Sequence, residues 1–275
     1  MSRILVTHLI PHLDDVTALW LLRRWDPASK RSKLKFVPTA AGGVSLAKGE
    51  LGVGIGRGKY DEHKGDRMDS AASLVWKDLK KRGKTPKGVK GDALAELVDY
   101  VRRGDLGEFI GRGGETFALS PILRAMAELP GEDSESATLA GFRVLDAMLV
   151  LYEERTIVDR AIDKGVKFRT KWGPGVGVEV EAIPGSVSNR VAERGYALVV
   201  LRYPKRGDLH VRATPSSKAD FTRLARHVMK EEPDAEWFFH HGKKMLIHGD
   251  RIAPTSKRTS YGLKSMVALV KKLYA

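Results

Sequence analysis

Residues 4–25 read ILVTHLIPHLDDVTALWLLRRW, and this stretch carries the strongest indications of the fold. Residues 4–10 are rich in apolar side chains and predict a short strand, while residues 16–25 are apolar enough for a packed helix. His8, His12, Asp14 and Asp15 lie at the junction between these two segments. Because ligands of open α/β sheets gather at the carboxyl ends of strands, this junction is a candidate functional site.

The pattern of strands and helices continues through the first 160 or so residues. Residues 34–39 and 51–55 predict two more strands, and residues 70–81 predict a helix with Leu74 and Leu79 towards a core. Further helices are predicted at 92–103, 117–128 and, as one long segment, 136–163. A strand, a helix and a strand within about 40 residues predict a right-handed βαβ unit. The N-terminal half is therefore expected to hold a doubly wound, mostly parallel sheet in an α/β fold.

After residue 164 the sequence changes character. The run WGPGVG at 172–177 predicts a loop, and strands are expected at 178–183, 196–203, 209–213, 237–240 and 245–248. Helices are expected at 218–232, with Ser216 and Ser217 as candidate caps, and at 261–273. These elements predict two α/β domains joined by the long helix. The first is residues 1–163, and the second is a smaller domain with a mixed sheet, residues 164–275.

Composition excludes several classes of site. The 275 residues include no cysteine, which rules out disulfides, cysteine-ligated zinc, iron–sulfur clusters and thiol nucleophiles. No apolar run approaches the roughly 20 residues of a membrane-spanning helix, and the N-terminal apolar run is too short for a signal peptide. A cytoplasmic protein without membrane contact is therefore expected. The glycine-rich stretches lack nucleotide-binding fingerprints, and no Gly-x-Ser-x-Gly elbow is present.

The positive charge of the chain is concentrated in its second half. The formal net charge is +14, and residues 1–163 carry 26 Lys and Arg against 24 Asp and Glu. Residues 164–275 carry 22 Lys and Arg against 10 Asp and Glu. A field of this sign favours polyanions such as nucleic acid, nucleotides or anionic lipid surfaces. The alternative is that the excess charge serves solubility only.

Two clusters of metal-ligating residue types follow predicted strands. The first is His8, His12, Asp14 and Asp15, a mixture of imidazoles and carboxylates that suits divalent ions, Mn²⁺ and Zn²⁺ foremost. The second is the run DEH at 61–63, which is expected at the same edge of the sheet. The alternative for the first cluster is that Asp14 or Asp15 only caps the helix and that both histidines are surface groups.

Together these signals resemble the DHH phosphoesterase superfamily, and most nearly its Myg-type branch (melanocyte proliferating gene family) of DHH-like exonucleases. That branch opens with a Thr-His motif, a second His and an acidic pair, which residues 7–15 match with a shorter spacer. Its later Tyr-Asp-His-His motif is similar to YDEH at 60–63, where Glu62 stands in place of the first His. Its C-terminal aromatic and glycine-containing strands are similar to WFFH at 237–240 and MLIHG at 245–249.

The resemblance implies a site for one or two divalent ions of Mn²⁺ type, with Zn²⁺ or Mg²⁺ as alternatives. The metal ligands that it implies are His8, His12, Asp14, Asp61, His63 and, at the end of a following helix, Asp105. Asp99 is an alternative to Asp105. Two departures from the family pattern stand out, since the strand LGVGIG at 51–56 lacks the usual Asp and Glu62 replaces a His. The first could leave one metal where relatives hold two, and the second could keep a ligand or supply a proton acceptor.

The reaction that the resemblance implies is hydrolysis of phosphoester bonds by a metal-activated water. The substrate would be nucleic acid ends or nucleotides, and His12 or His63 could act as a general acid. The candidate catalytic residues are His12, Asp15, Glu62 and His63. The alternative function is a catalytically altered DHH-like protein that binds nucleic acid or nucleotides without turnover. A monomer and a homodimer are both open.

The basic second half is predicted to bind the substrate. Ser256, Thr259 or Ser260 is expected to open the final helix, whose N-terminus would suit a phosphate. The alternative is a solvated basic face with ordinary helix caps. The candidate substrate-binding residues are His240, His241, Lys243, Lys244, His248, Lys257 and Arg258.

Overall fold

The structure is a computed structural model, and it describes residues 3–39, 43–63, 68–110, 119–181, 187–250 and 257–275. The chain divides into two compact units, Met1–Glu153 and Glu154–Ala275. Both are mixtures of helices and strands, so the prediction of a two-part α/β protein is confirmed at this level. Among the described residues, no helix is long and apolar enough to cross a membrane.

The first unit is built on a three-stranded sheet in which all strands are parallel. The strand order is β2-β1-β3, and Leu5 of the central strand pairs with Leu34 on one side and Leu51 on the other. This arrangement is the predicted parallel βαβ unit. The strands and the helices of the unit, in chain order, are β1 (Ile4–His8), α1 (Leu13–Trp25), β2 (Lys33–Val37), β3 (Glu50–Gly52), α2 (Ala71–Lys81), α3 (Gly88–Asp105), α4 (Leu119–Ala127) and the start of α5 (Ser134–Lys164).

Helix α1 forms the centre of the first hydrophobic core. Leu19, Trp20 and Leu22 are fully buried, and the indole N–H of Trp20 donates to Asp146 Oδ1 at 3.0 Å. Helix α2 follows Ser70, whose hydroxyl accepts the Ser73 N–H at 3.3 Å. This is the side-chain cap that satisfies one of the free N–H groups at a helix start. The packing of α1 fixes the end of β1 and the first turn of α1 relative to each other.

Helix α3 ends in a glycine cap that turns the chain back along the helix. Gly107 has φ +77°, its N–H donates to the Gly104 carbonyl at 3.1 Å, and the Glu108 N–H donates to the Arg103 carbonyl at 3.0 Å. These two bonds define a Schellman motif, which requires a left-handed residue that glycine adopts without strain. The turn brings Phe109 back onto the surface of α3, where its ring stacks with Tyr100 at a centroid distance of 5.3 Å.

The second unit holds a six-stranded mixed sheet. The order is β4-β5-β6-β7-β9-β8, with β5 and β6 parallel and the other neighbours antiparallel. Val158 and Ile162, near the end of α5, are buried against this sheet together with residues of α6. The elements are β4 (Val166–Thr170), β5 (Gly173–Glu179), α6 (Val187–Glu193), β6 (Leu198–Tyr203), β7 (Asp208–Ala213), α7 (Thr222–Glu231), β8 (Trp237–Phe239), β9 (Met245–His248) and α8 (Leu263–Tyr274).

The prediction of a loop at 172–177 is wrong, because Gly173–Glu179 forms strand β5. Two of its glycines make room for close packing. A Cβ on Gly175 would lie 2.5 Å from the Phe168 ring, and a Cβ on Gly177 would lie 2.8 Å from Val267 Cγ2 of α8. Glycine in a strand interior often marks such an approach, and here it outweighs the low strand propensity of the run. Residues 182 and 183 of the predicted strand 178–183 lie outside the described residues.

Two predicted helix starts also differ from the structure. Helix α7 begins at Thr222 rather than at 218, and the Ser217 hydroxyl accepts the Ala219 N–H at 3.2 Å in the preceding segment. Helix α8 begins at Leu263 after Gly262. Thr259 and Ser260 therefore do not cap it, and Ser256 lies outside the described residues, as does Phe117 at the start of the predicted fourth helix.

Candidate metal centre

The first turn of α1 and the end of β1 are linked by Asp15. Its carboxylate accepts the backbone N–H of His12 at 3.0 Å and contacts His8 Nδ1 at 3.1 Å. The bond to His12 is the one that the third residue of a helix makes in a capping box. The hydrogen bond to Asp15 is the main cause that raises the pKa of His8. Asp15 therefore holds an imidazole and the helix start in one place.

Asp14 points to a different partner, the N-terminus of α2. Its two carboxylate oxygens accept the backbone N–H groups of Ala71 at 2.7 Å and Ala72 at 3.0 Å. The residue is 3% exposed. Burial raises the pKa of the Asp14 carboxyl well above its ordinary value, and the charge of Asp105 adds to this effect. The Ser70 hydroxyl also donates to this carboxylate and opposes the rise in its pKa. Because an aspartate carboxylate has about four lone-pair sites, Asp14 can bind a cation while it caps α2.

Asp14, Glu62 and Asp105 form a group of three carboxylates from separate parts of the first unit. One oxygen from each lies within 4.8 Å of the others. Burial raises the pKa of Glu62, and the charges of Asp15 and Asp105 raise it further. Asp105 as a whole residue is exposed to solvent. The surrounding protein nevertheless desolvates its carboxyl group, which raises the pKa of Asp105, and the negative charge of Asp15 raises this pKa further.

One carboxylate oxygen of Glu62 has no hydrogen-bond partner in the described part of the chain. Glu62 Oε2 is buried, and no hydrogen-bond donor among the described residues reaches it. A buried carboxylate oxygen without a donor is costly, and so is the approach of three carboxylates within such a short distance. A divalent cation at this point would satisfy the free oxygen and neutralise the mutual repulsion. The donor set is rich in carboxylate oxygens, the ligand type of Mg²⁺, Ca²⁺ and Mn²⁺.

A second group, Asp61, Glu62 and His63, shares Glu62 with the first. Asp61 accepts the backbone N–H of Arg57 at 2.6 Å, and both the N–H and the ring nitrogen Nδ1 of His63 lie within 3.0 Å of its Oδ1. Burial alone would raise the pKa of Asp61, but these hydrogen bonds outweigh it and lower the pKa. The carboxylate is therefore held in its charged form, which is the form that binds metal.

A glycine places the backbone directly against this cluster. Gly54 has φ +66°, and a Cβ at this position would lie 2.0 Å from Asp15 Oδ1 and 3.5 Å from the His8 ring. The segment LGVGIG that lacks the expected strand Asp thus passes close to another carboxylate, that of Asp15. Gly54 is also tied into the fold, because its N–H donates to the Tyr60 carbonyl at 2.8 Å.

The structure thus brings most of the predicted N-terminal residues to one edge of the sheet. His8 and His12 fall outside both groups of close ligand atoms, and their rings stack with a centroid distance of 6.0 Å. Asp99 pairs with Arg102 at 2.8 Å, so of the two alternatives it is Asp105 that joins the cluster. The roles of these residues as metal ligands or catalytic groups stay predictions.

Four residues contribute to this region without being predicted as site residues from the sequence. The N–H groups of Ala71 and Ala72 anchor Asp14, although the helix start at Ser70 was recognisable from the sequence. Phe109 is another such residue. The sequence does contain a sign of the turn that positions it, because a glycine at 107 after a helix that ends in basic residues is typical of a helix C-terminus. For Tyr100 the sequence predicts only a position within a helix.

The predicted substrate-binding residues of the second unit fall into two groups at opposite ends of β9. His240, His241, Lys243 and Lys244 lie in or beside the turn between β8 and β9, where Lys243 has φ +58°. Lys244 Nζ donates to the Pro215 carbonyl at 2.9 Å, and Lys243 lies 3.7 Å from Asp220. The remaining residues lie beyond the other end of the strand.

At that other end, His248 is fully buried, and its Nε2 lies 2.9 Å from the Lys257 carbonyl. Lys257 and Arg258 are exposed, and Lys257 pairs with Asp234 at 3.0 Å. The Thr259 hydroxyl donates to Glu232 at 2.7 Å, and the Ser260 N–H donates to the same carboxylate at 2.7 Å. Glu232 thus occupies the hydroxyls that were expected to meet a phosphate. Binding of a substrate by these residues stays a prediction.

Comparison with known proteins gives a limited answer. No known protein family matches the sequence, and no curated protein is similar to it at a significant level. Among solved structures, the chain is similar to an uncharacterized protein from Helicobacter pylori with 11% identity and a TM-score of 0.29, over 99% of this chain and 98% of that one. It is also similar to RecJ from Thermus thermophilus, solved in complex with Mg²⁺, with 14% identity and a TM-score of 0.32.

The RecJ match covers 99% of this chain but only 49% of the RecJ chain. A third similar structure is a Methanococcus jannaschii protein assigned to the family II inorganic pyrophosphatases, with 11% identity, a TM-score of 0.23 and 99% coverage of both chains.

Proposed function

We propose that the chain is a metal-dependent phosphoesterase that hydrolyses phosphoester bonds in nucleic acid or nucleotides. The observation that carries this proposal is the approach of Asp14, Glu62 and Asp105 to within 4.8 Å of one another, with the buried Oε2 of Glu62 left without a donor among the described residues. An arrangement that is unfavourable for the bare protein is one that a divalent cation would stabilise. The resemblance of the sequence motifs to the DHH phosphoesterases supports the same chemistry.

In this proposal Asp14, Glu62, Asp105 and Asp61 hold the cation, with Mn²⁺ as the first candidate. A bound divalent cation activates water for attack and neutralises the phosphoryl oxygens. The protein positions these ligands through the α2 N-terminus and the Asp61 hydrogen bonds.

The remaining residues at the site supply proton transfer and orientation. The His63 side chain is 66% exposed and lies at the rim of the cluster, which suits a general acid that meets the leaving oxygen. His12 is the exposed alternative. Asp15 keeps His8 in a fixed orientation through their 3.1 Å contact and therefore acts as a positioning residue.

The class of substrate follows from the charge of the chain. Residues 164–275 carry 22 Lys and Arg against 10 Asp and Glu, which favours a polyanion. Lys243, Lys244, Lys257 and Arg258 are the residues proposed to contact phosphates. The two lysines that already pair with Asp220 and Asp234 do so at the surface, where such pairs are weak and exchange readily.

The test is release of mononucleotides from short oligonucleotides in the presence of Mn²⁺. We expect the wild-type protein to release them and the variants Glu62→Gln and Asp105→Asn to be at least about a hundredfold slower, because each removes a charged ligand. The matched control is Asp99→Asn, an Asp to Asn change on the same helix as Asp105 but outside the cluster. This control should keep the wild-type rate.

The same assay distinguishes the alternative function. A wild-type protein that binds the oligonucleotides but cleaves none of them, with Mn²⁺, Mg²⁺ or Zn²⁺, would contradict the phosphoesterase proposal. The chain would then be a nucleic-acid- or nucleotide-binding protein whose metal site does not support turnover.

A further inference from the structure

A cavity of about 380 Å³ opens directly beside the carboxylate group of the first unit. Its lining includes Asp14 and Asp105 of the carboxylate group and His12 at the start of α1. The aromatic residues Tyr100 and Phe109 line the same cavity. Its volume falls within the range of small-molecule sites, which is about 300–1,000 Å³. One cavity therefore joins a cation site to an aromatic surface.

The two aromatic residues that line this cavity, Tyr100 and Phe109, are held in place by the end of α3. The Schellman turn at Gly107 returns Phe109 to the helix, where its ring stacks on Tyr100 at 5.3 Å with an interplanar angle of 28°. The Arg103 guanidinium lies 5.3 Å from the centre of the Phe109 ring and pairs with Glu108 at 2.7 Å. Both rings are half-buried, so each keeps part of its surface open.

Gly104 lines the same cavity and precedes Asp105 in the chain. A Cβ at this position would lie 3.5 Å from the Phe109 ring, which is an ordinary contact distance. The helical backbone at residue 104 therefore does not require glycine, and a larger side chain there would take up space at the cavity lining. Ile110, which is 80% exposed, and Leu119 add apolar surface to the lining.

We infer that this cavity binds the nucleobase of the nucleotide whose phosphate is hydrolysed, with Phe109 and Tyr100 as the residues that select a base-bearing substrate. The inference rests on the proposed function for the position of the phosphate. Asp14 and Asp105 belong both to the carboxylate group and to the lining of the cavity. The part of the substrate that is attached to the bound phosphate therefore lies in this cavity. Flat aromatic groups gain affinity on aromatic side chains whatever the base, so the site accepts several bases. Inorganic polyphosphate leaves the cavity empty and gains nothing from it.

The test compares the binding of AMP and of ribose 5-phosphate, which lacks only the base, by isothermal titration calorimetry with Mn²⁺ present. We expect the wild-type protein to bind AMP about tenfold or more tightly, the lower part of the range for base stacking on aromatic residues. Phe109→Leu removes the aromatic ring and Gly104→Leu fills the cavity. Both should bring the ratio of the two dissociation constants close to 1 while ribose 5-phosphate binds as before.

Gly104→Leu guards against misfolding as an explanation, since leucine favours the helix more than glycine does. Phe238→Leu is the control, because Phe238 is an exposed phenylalanine of the second unit. The inference is overturned if the wild-type protein binds the two compounds equally, if it binds neither, or if only Phe238→Leu removes the preference for AMP. A preference for AMP without hydrolysis of any oligonucleotide would overturn the proposed function and leave the base site in place.

Discussion

At the scale of single residues, the site depends on how closely backbone and carboxylate approach at Gly54. A Cβ there would lie 2.0 Å from Asp15 Oδ1, a distance that no side chain tolerates without movement of the carboxylate. Asp15 in turn accepts the His12 N–H and contacts His8. A change at residue 54 is therefore transmitted to the imidazole at the end of β1 and to the start of α1.

We predict that Gly54→Ala lowers the free energy of unfolding more than Gly83→Ala does. Both glycines have left-handed backbones, φ +66° at Gly54 and φ +64° at Gly83, so each substitution costs about 1–2 kcal/mol in backbone strain. Only at Gly54 does the new methyl group collide with a side chain, which adds about 1–3 kcal/mol. A Cβ on Gly83 would meet no atom of the described residues within 4 Å, which makes this position the matched control.

Urea denaturation of the two variants beside the wild type measures the difference. Equal losses of stability at both positions would mean that the contact between Gly54 and Asp15 is not formed in solution. At this scale the sequence indicated the residue types of the cluster but not their partners. Asp14 and Asp15 are adjacent, yet one caps α2 and the other binds His8, because consecutive helical residues point about 100° apart.

At the scale of elements, hydrophobic pattern located most helices and strands of both sheets. The strand of the first sheet at 4–10 and the helix at 16–25 appear as Ile4–His8 and Leu13–Trp25. The prediction of a loop at 172–177 is wrong for a physical reason. Its glycines do not form turns but allow close packing, of Gly175 against Phe168 of β4 and of Gly177 against Val267 of α8. Such packing involves residues that are distant in sequence, for example Val267 and Gly177, so a local sequence pattern cannot predict it.

We predict that Gly175→Ala destabilises the second unit by about 1–3 kcal/mol and that Phe168→Leu in the same chain restores part of the loss. The Cβ of residue 175 would lie 2.5 Å from the Phe168 ring on the paired strand β4, so the smaller leucine relieves the overlap. A double-mutant cycle followed by thermal unfolding measures the coupling. Independent, additive effects of the two substitutions would show that the strand pairing places these residues differently.

At the scale of the whole molecule, the charges of the two units differ in a way that suits the proposed division of work. The first unit, Met1–Glu153, is nearly neutral, with 24 basic and 21 acidic residues, and contains the carboxylate cluster. The second unit carries the excess of basic residues. The sequence alone shows this asymmetry. It does not show that Glu232 accepts hydrogen bonds from the hydroxyls of Thr259 and Ser260, because these contacts span 27 and 28 residues.

We predict that Asp14, Glu62 and Asp105 together bind a divalent cation. Titration of the metal-free protein with Mn²⁺ by isothermal titration calorimetry tests this claim directly. We expect saturable binding that becomes tighter as the pH rises, because carboxyls with raised pKa values must lose protons to bind metal. We also expect at least about tenfold weaker binding by Glu62→Gln and unchanged binding by Asp99→Asn. Absence of saturable Mn²⁺ binding by the wild-type protein, or equal affinity in Glu62→Gln, would contradict this prediction.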